Sequence, residues 1–235
     1  MSAQPTAMLA NEVPETRFGT WFQGTEIWRR YVVAETLAVL AELAPQRERF
    51  ARVLDAGCGH GFALASLDER FAPEEIVALD ADASVLARAA TEAARCRAKV
   101  DVRTGDVAAL AFVDGSIDLV LCHQTLHHTQ RQQEALAELH RVLRPGGVLL
   151  LAESCRAFVR RLWVRALFRH AMHAQHGADE YVALVRDAGF ELLAHATPDP
   201  WWSLRDLGAR DWLLGRTART SAEHTLVCIA ARRPA

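Results

Sequence analysis

The sequence lacks a long hydrophobic segment. No run approaches the roughly 20 apolar residues that a membrane helix requires. Residues 1–18 are polar and contain proline, without the apolar stretch of a secretory signal. We therefore expect a soluble, cytoplasmic protein with no membrane partner.

The sequence also lacks an excess of charge of either sign, and Lys99 is its only lysine. The formal net charge is −2 in a chain of 235 residues. Nucleic-acid binding domains usually carry a basic patch or arm, which is not evident here. The charge balance therefore predicts no nucleic-acid partner.

Closely spaced cysteines are missing too. The five cysteines are scattered, and no two stand at metal-ligand spacing. Reduced thiols and no metal site are the expectation for such a set in the cytosol. About half the residues are hydrophobic, which is enough for one domain with local additions, or at most two.

What the sequence does contain is a regular alternation of short apolar runs and helical patterns. A helix is predicted from Thr25, a good N-cap, to Ala44, before Pro45, and residues 1–19 are expected to form a loose arm. Strands are predicted at 52–55, 75–80, 100–103, 117–122 and 148–153, with helices at 61–70, 83–95 and 130–143 between them. Short apolar strands joined by helices indicate a parallel sheet covered on both faces, a doubly wound α/β unit.

The pattern changes after residue 153. An amphipathic helix is predicted over 155–175, with Phe158, Val159, Leu162, Trp163 and Ala166 on one side and arginines on the other. A second helix over 178–188 ends at Gly189. Strands are expected at 190–196 and 225–230, on either side of an irregular segment at 198–223.

A glycine-rich turn follows the first predicted strand. Residues 53–61 read V-L-D-A-G-C-G-H-G, and glycines there let a ligand approach the backbone closely. Dinucleotide-binding folds use a glycine turn as well. Here the spacing is G-x-G-x-G, and Asp55 at the strand end would repel a pyrophosphate but could hold a cationic amino acid end.

Two more carboxylates follow the next two strands. Asp80 ends the second strand, where it could accept hydrogen bonds from ribose hydroxyls. Asp106 follows the third strand and could accept from the exocyclic amine of adenine. Unpartnered carboxylates are costly at such positions. Together with Asp55, these residues suit one nucleoside that carries an amino acid tail.

With these residues in order, the chain resembles the class I S-adenosylmethionine-dependent methyltransferases of the small-molecule, methyltransferase type 11-like group. The resemblance covers residues 50–153 through five segments: VLDAGCGHG, VALDAD, TGDVAAL, IDLVLCHQTLHHT and LRPGGVLLLAE. It implies a Rossmann-like seven-stranded sheet in the order 3-2-1-4-5-7-6, with the last strand antiparallel. It also implies transfer of a methyl group from S-adenosyl-L-methionine, leaving S-adenosyl-L-homocysteine, to a small-molecule acceptor, most simply a hydroxyl.

The resemblance also assigns cofactor-binding residues. The methionine part would lie against the glycine turn, the ribose against the second strand end, the adenine after the third strand, and the sulfonium near the end of the fourth. In this order the residues are Asp55, Ala56, Gly57, Cys58, Gly59 and Gly61; Asp80 and Ala81; Asp106 and Val107; Cys122 and His123.

Histidines after the fourth strand are the candidate catalytic residues. The chain resembles the rebeccamycin-type sugar O-methyltransferases here, which use a paired histidine in this loop and a carboxylate after the fifth strand. The matching residues are His127, His128 and Glu153, with His123 nearby. Histidine suits a general base near neutral pH. The alternative is that the pair only orients the loop.

Tryptophans lie outside the cofactor segments. In this architecture an N-terminal helix and an insertion after the fifth strand cover the acceptor pocket, so we expect an arm and lid helix at 1–45, a core at 46–235, and lid insertions at about 154–188 and 198–223. Aromatic walls would suit an aromatic acceptor, or close a lid core or a dimer contact. The candidate substrate-binding residues are Trp21, Phe22, Trp28 and Trp163. Either a monomer or a homodimer is expected.

Several alternatives stay open. Cys58, Cys122 and Cys155 could serve a soft thiol or arsenic acceptor, although small buried cysteines are common. N-, C- and S-methylation, or a catalytically silent cofactor-binding regulator, are further possibilities. His170, His173 and His176 repeat every three residues, which permits a metal site but favours solvent-facing side chains.

Overall fold

The computed structural model describes residues 15–45, 50–198 and 223–235. Seven strands in the described residues form one sheet: β1 Arg52–Ala56, β2 Glu75–Asp80, β3 Lys99–Thr104, β4 Ile117–His123, β5 Leu143–Ser154, β6 Glu191–Ala196 and β7 Leu226–Arg232. Their order is β3-β2-β1-β4-β5-β7-β6. The first five strands are parallel, and β7 runs antiparallel to both β5 and β6. The predicted Rossmann-like sheet order is thus confirmed.

Helices cover both faces of this sheet. The helices are α1 Arg17–Gln23, α2 Glu26–Trp28, α3 Ala34–Leu43, α4 Leu64–Phe71, α5 Ala83–Ala93, α6 Gln132–Val142, α7 Arg156–Val159, α8 Leu162–Leu167 and α9 Ala178–Asp187. Neighbours along β1 show the result, since Val53 and Leu54 are both fully buried but belong to different apolar clusters. Burial on both faces explains why the strands are continuous apolar runs. Within the described residues, no helix has both the length and the apolar character to cross a membrane.

The carboxyl ends of the central strands meet at one edge of the sheet. Asp55 of β1 pairs in register with Leu121 of β4, and His123 of β4 pairs with Ala152 of β5. The strand order reverses between β1 and β4, and ligands bind outside the strand ends at such a switch point. Topology therefore gathers the polar strand ends around one crevice.

Residues 15–19, the described part of the expected loose arm, include the start of a helix. Helix α1 includes residues 17–19, and its N-cap Thr16 accepts a hydrogen bond from the amide of Gly19 at 2.8 Å. Thr25 caps the next helix, as predicted, by accepting from Trp28 N at 3.3 Å. A π-helical turn at Arg29–Val33 separates α2 from α3. Such turns are frequent near functional sites.

The single helix predicted over 155–175 is wrong. The chain forms α7, α8 and a 3₁₀ turn at Met172–Ala174, because Arg161 and Phe168 take extended backbone conformations. The predicted apolar face is lost as well, since Leu162 is 83% exposed whereas Val164 is buried. Gln175, at the end of this segment, donates to the His127 carbonyl at 2.9 Å, a tertiary contact that helical periodicity does not predict.

The remainder of the C-terminal half agrees with expectation. Helix α9 is followed by Gly189, whose φ of +93° requires glycine. Both final strands form at the predicted places. Residues 199–222, which hold most of the segment expected to be irregular together with Trp201 and Trp202, lie outside the described residues.

Candidate functional site

The glycine-rich turn lines a first cavity at the carboxyl edge. The amides of Gly57 and Cys58 donate to the Leu79 carbonyl at 2.8 and 2.9 Å, which ties the turn to β2. Gly57 and Gly59 have φ of +85° and +50°. A Cβ at position 59 would meet no atom within 4 Å, so the backbone there is open to a ligand. The turn therefore presents backbone atoms that a ligand can approach closely.

Asp55 is a buried carboxylate in this cavity without a complete set of partners. It is 1% exposed, and its Oδ2 has no hydrogen-bond partner among the described residues. Burial, reinforced by the nearby Asp80 carboxylate, raises the pKa of Asp55 to about 7. A buried carboxylate in this state is well matched to a cationic group such as an ammonium.

Asp80 is held rigidly at the rim. Its two oxygens accept the amides of Gly59 at 2.8 Å and Asp82 at 2.9 Å. Burial raises its pKa despite these hydrogen bonds. Each carboxylate oxygen has a second acceptor position, so hydroxyl groups of a ligand can still be bound.

Asp106 is engaged elsewhere. Its oxygens accept from the Ala108 amide at 2.7 Å and from Arg131 Nη1 at 3.1 Å. Its neighbour Val107, rather than Asp106 itself, lines the cavity.

The structure brings most of the predicted cofactor residues to one wall. The first cavity has about 1100 Å³ of empty space, its open mouth included. The predicted residues that line it are Asp55, Gly57, Cys58, Gly59, Asp80, Ala81, Val107 and His123. The predicted residues that do not line it are Ala56, Gly61, Asp106 and Cys122.

Sequence reasoning missed part of this wall. Glu15, Thr20 and Gln23 reach the cavity because the N-terminal segment docks there, with the His60 ring 3.2 Å from the Thr20 carbonyl. Local periodicity carries no signal for such docking. Gln124 also lines the cavity, with a φ of +55° that is unusual for a residue other than glycine. Strain of this kind concentrates at functional sites.

Glu153 organises the histidine loop after β4. It is fully buried and accepts the amides of Thr125 and Leu126 at 2.9 and 2.8 Å. His127 lies at 2.5 Å from it through Nδ1. If His127 Nδ1 donates to this carboxylate, Nε2 is left free to accept a proton. Both oxygens of Glu153 are engaged within the loop, so the carboxylate is not available to a ligand.

The other two loop histidines favour the neutral form. Burial, with a smaller effect of His127, lowers the pKa of His123 to about 4. Burial also lowers the pKa of His128 well below its usual value, aided by His127 and His170. Around neutral pH both imidazoles are therefore uncharged.

A second, aromatic cavity adjoins the first. It has about 640 Å³ of empty space, within the range of small-molecule sites. Phe22, Trp28 and Trp163 of the predicted substrate residues line it, whereas Trp21 does not and is 64% exposed. The residues common to both cavities are Glu15, Gln23, Trp28, Gln124 and His128. Single side chains thus separate a molecule bound in one cavity from a molecule bound in the other.

Further residues of the second cavity come from the broken segment after β5. Phe158, Phe168 and His170 line it, together with His127 and His128. The expectation that His170 faces solvent is wrong, since its ring lies 5.1 Å from those of both loop histidines. His176 lies 3.5 Å from Glu180 instead, and the His173 side chain is outside the described residues.

The cysteines show little thiolate character. Burial raises the pKa of Cys122 well above its usual value and that of Cys155 to about 12. Burial raises the pKa of Cys58, which lines the first cavity, in the same way. Neutral buried thiols are poor ligands for soft metals.

Comparisons with known proteins indicate a methyltransferase. The sequence profile described as a methyltransferase domain matches residues 54–151. A protein of Encephalitozoon cuniculi named as a methyltransferase is 34% identical over 167 residues, covering 63% of this chain and 73% of its own. A Mycolicibacterium smegmatis protein named as an S-adenosylmethionine-dependent methyltransferase is 32% identical, covering 60% of this chain and 52% of its own.

Solved structures share the fold. A geranyl diphosphate methyltransferase in complex with GPP and sinefungin, an S-adenosylmethionine analogue, superposes with a TM-score of 0.64. That pair is 22% identical, and the match covers 85% of this chain and 78% of the other. The chain spans about half the length, or less, of most curated relatives that it matches.

Proposed function

Because this chain belongs to the class I S-adenosylmethionine-dependent methyltransferase family, we propose that it methylates a hydroxyl group of a small aromatic molecule. The observation that carries this proposal is the pair of adjoining cavities. One holds a buried carboxylate with one oxygen that has no partner among the described residues, next to a glycine turn. The other is aromatic and holds a histidine paired with a carboxylate.

In this proposal the first cavity binds S-adenosylmethionine, which supplies an activated methyl group. Asp55 pairs with its ammonium, because Oδ2 has no other partner among the described residues. Asp80 accepts the ribose hydroxyls while the amides of Gly59 and Asp82 hold it in place. Val107 packs against the adenine. Asp106 supports this segment through its hydrogen bonds with Ala108 and Arg131.

The second cavity binds the acceptor. Its walls at Phe22, Trp28, Phe158, Trp163 and Phe168 offer ring faces and edges to a flat apolar molecule. Phe158 and Trp163 form an edge-to-face pair at 5.6 Å, as do Phe22 and Trp28 at 5.8 Å. These packed rings give the cavity a defined shape, which suits positioning of a nucleophile for in-line transfer.

His127 removes the acceptor proton. As the acceptor oxygen takes the methyl group that bound S-adenosylmethionine would supply, the hydroxyl proton passes to Nε2 of His127. Glu153 stabilises the resulting imidazolium through Nδ1, in the way that a carboxylate supports histidine in catalytic triads. His128 and Gln124, which line both cavities, position the two reactants.

An acceptor screen tests this assignment. Formation of S-adenosylhomocysteine is measured with hydroxylated aromatic compounds and with matched compounds that lack the hydroxyl. We expect turnover only with the hydroxylated set. His127→Gln should reduce that turnover by about 10²–10⁴-fold, the usual contribution of a general base, and leave cofactor affinity unchanged.

His195→Gln is the matched control, because His195 is exposed on the edge strand β6. Turnover of aromatic amines or thiols in preference to hydroxyls would contradict O-methylation. Full turnover by the His127 variant with the true acceptor would contradict the base role.

A further inference from the structure

Three histidines from two separate segments converge beside the acceptor cavity. His127 and His128 belong to the loop after β4, and His170 follows α8. One nitrogen from each ring lies within 4.8 Å of the other two. Ring centroids are 4.2 Å apart for the loop pair and 5.1 Å from each of these to His170.

We propose that His127, His128 and His170 form a binding site for one divalent transition-metal ion of the Zn²⁺ class. Three imidazoles with an open fourth position are an established ligand set for zinc. The site goes beyond methyl transfer, and its existence does not depend on the proposed acceptor.

The outer contacts of the cluster fit a metal site. A metal-bound histidine commonly donates its second ring N–H to a carboxylate, and His127 Nδ1 lies 2.5 Å from Glu153. Gln175 donates from Nε2 to the His127 carbonyl at 2.9 Å and to the Ala171 carbonyl at 3.0 Å. This one side chain therefore fixes both segments that supply the ligands.

A buried polar atom of the cluster also fits a metal site. His170 Nδ1 is buried and has no hydrogen-bond partner among the described residues. An ion bound there would compensate for this buried nitrogen.

The spacing requires a modest adjustment. Bonds of about 2.0–2.1 Å to a tetrahedral ion place the nitrogens about 3.4 Å apart. Rotations of the side chains would close the present separations. All three residues line the acceptor cavity, so the fourth position of the ion is open to molecules bound there.

Metal binding and the base role compete at His127. Its Nδ1 faces Glu153, so the same Nε2 would take either the acceptor proton or the ion. The test therefore measures binding of the ion directly and does not depend on turnover.

The experiment is calorimetric titration of Zn²⁺ into the metal-free full chain, with Co²⁺ absorption as a report on coordination geometry. We expect one ion per chain and the visible spectrum of tetrahedral Co²⁺. His170→Ala should weaken binding by at least about 100-fold, whereas His195→Ala, a histidine on the distant strand β6, should bind as the wild type does.

S-adenosylhomocysteine titrated into the same samples reports on folding, because His170 does not line the first cavity. Absence of zinc binding by the wild type, or unchanged binding by His170→Ala, would overturn the metal site. If S-adenosylhomocysteine still binds in that case, the proposed methyl transfer is unaffected.

Discussion

Asp80 shows how one side chain can serve both the protein and a ligand. It accepts two backbone amides and still has an acceptor position on each oxygen. Loss of the carboxylate would leave the Gly59 amide and the ribose hydroxyls without their partner.

Asp80→Ala should weaken S-adenosylhomocysteine binding by about 1–3 kcal/mol, the cost of unpaired polar groups. Calorimetry measures this change, and Asp114→Ala is the matched control, because Asp114 is a surface carboxylate paired with Arg141 away from the cavities. Equal affinities for the two variants would remove Asp80 from the binding site.

Asp55 should make cofactor binding depend on pH. Burial is the main cause that raises the pKa of Asp55 to about 7. An ammonium group favours the charged carboxylate, so binding releases a proton below that pKa. Affinity for S-adenosylhomocysteine should be constant above about pH 7 and fall by up to about tenfold per pH unit below it.

Calorimetry across this interval, in buffers of different ionisation enthalpy, counts the released proton. Asp55→Asn should bind weakly and lose the pH dependence. Wild-type affinity that is the same at about pH 6 and about pH 8 would show that Asp55 does not pair with the ligand.

The glycine turn after β1 illustrates how a connecting element is shaped for its ligand and its neighbours. Gly57 has a positive φ, and a Cβ there would lie 2.1 Å from Thr125 Oγ1 in the histidine loop. Gly146, at the start of β5, has a φ of +74° and nothing within 4 Å of its Cβ position. An alanine at Gly146 would therefore cause backbone strain alone, whereas an alanine at Gly57 would cause both backbone strain and steric overlap.

Gly146→Ala should cost about 1–3 kcal/mol of unfolding free energy, the strain of a left-handed alanine. Gly57→Ala should cost more than Gly146→Ala and should also abolish S-adenosylhomocysteine binding, because it displaces Thr125. Chemical denaturation measures the first effect and calorimetry the second. Similar losses for both variants would show that the turn and the histidine loop do not constrain each other.

The segment after β5 shows where elements could not be predicted. Its apolar spacing favours one helix, but Gln175 ties its end to the histidine loop, and Arg156 pairs with Glu180 at 2.9 Å. These contacts join residues far apart in the chain. Local periodicity is weaker than tertiary contacts of this kind.

At the level of the whole chain, the core was predictable and the acceptor cavity was not. Strands buried on both faces leave unbroken apolar runs, so the strands themselves were predictable. Their order came from the family resemblance and is the order that the structure has. The wall of the second cavity combines Phe22 and Trp28 with Trp163 and Phe168. Their residue types suggested an aromatic pocket, but only folding shows that Trp21 is excluded and that His170 joins the paired histidines.

The two cavities together form the candidate active site. Each is built from several elements, and they meet at side chains supplied by the N-terminal segment and the loop after β4. Occupation of the first cavity by the cofactor is the condition for the methyl transfer proposed for the second.

The decisive measurement is therefore calorimetric titration of S-adenosylhomocysteine into the wild-type chain and into Asp55→Ala. Binding by the wild type, with one site per chain and a loss of at least about 2 kcal/mol in the variant, is the predicted result. A wild-type chain that is folded but does not bind, or a variant that binds equally well, would contradict the assignment of the first cavity to S-adenosylmethionine.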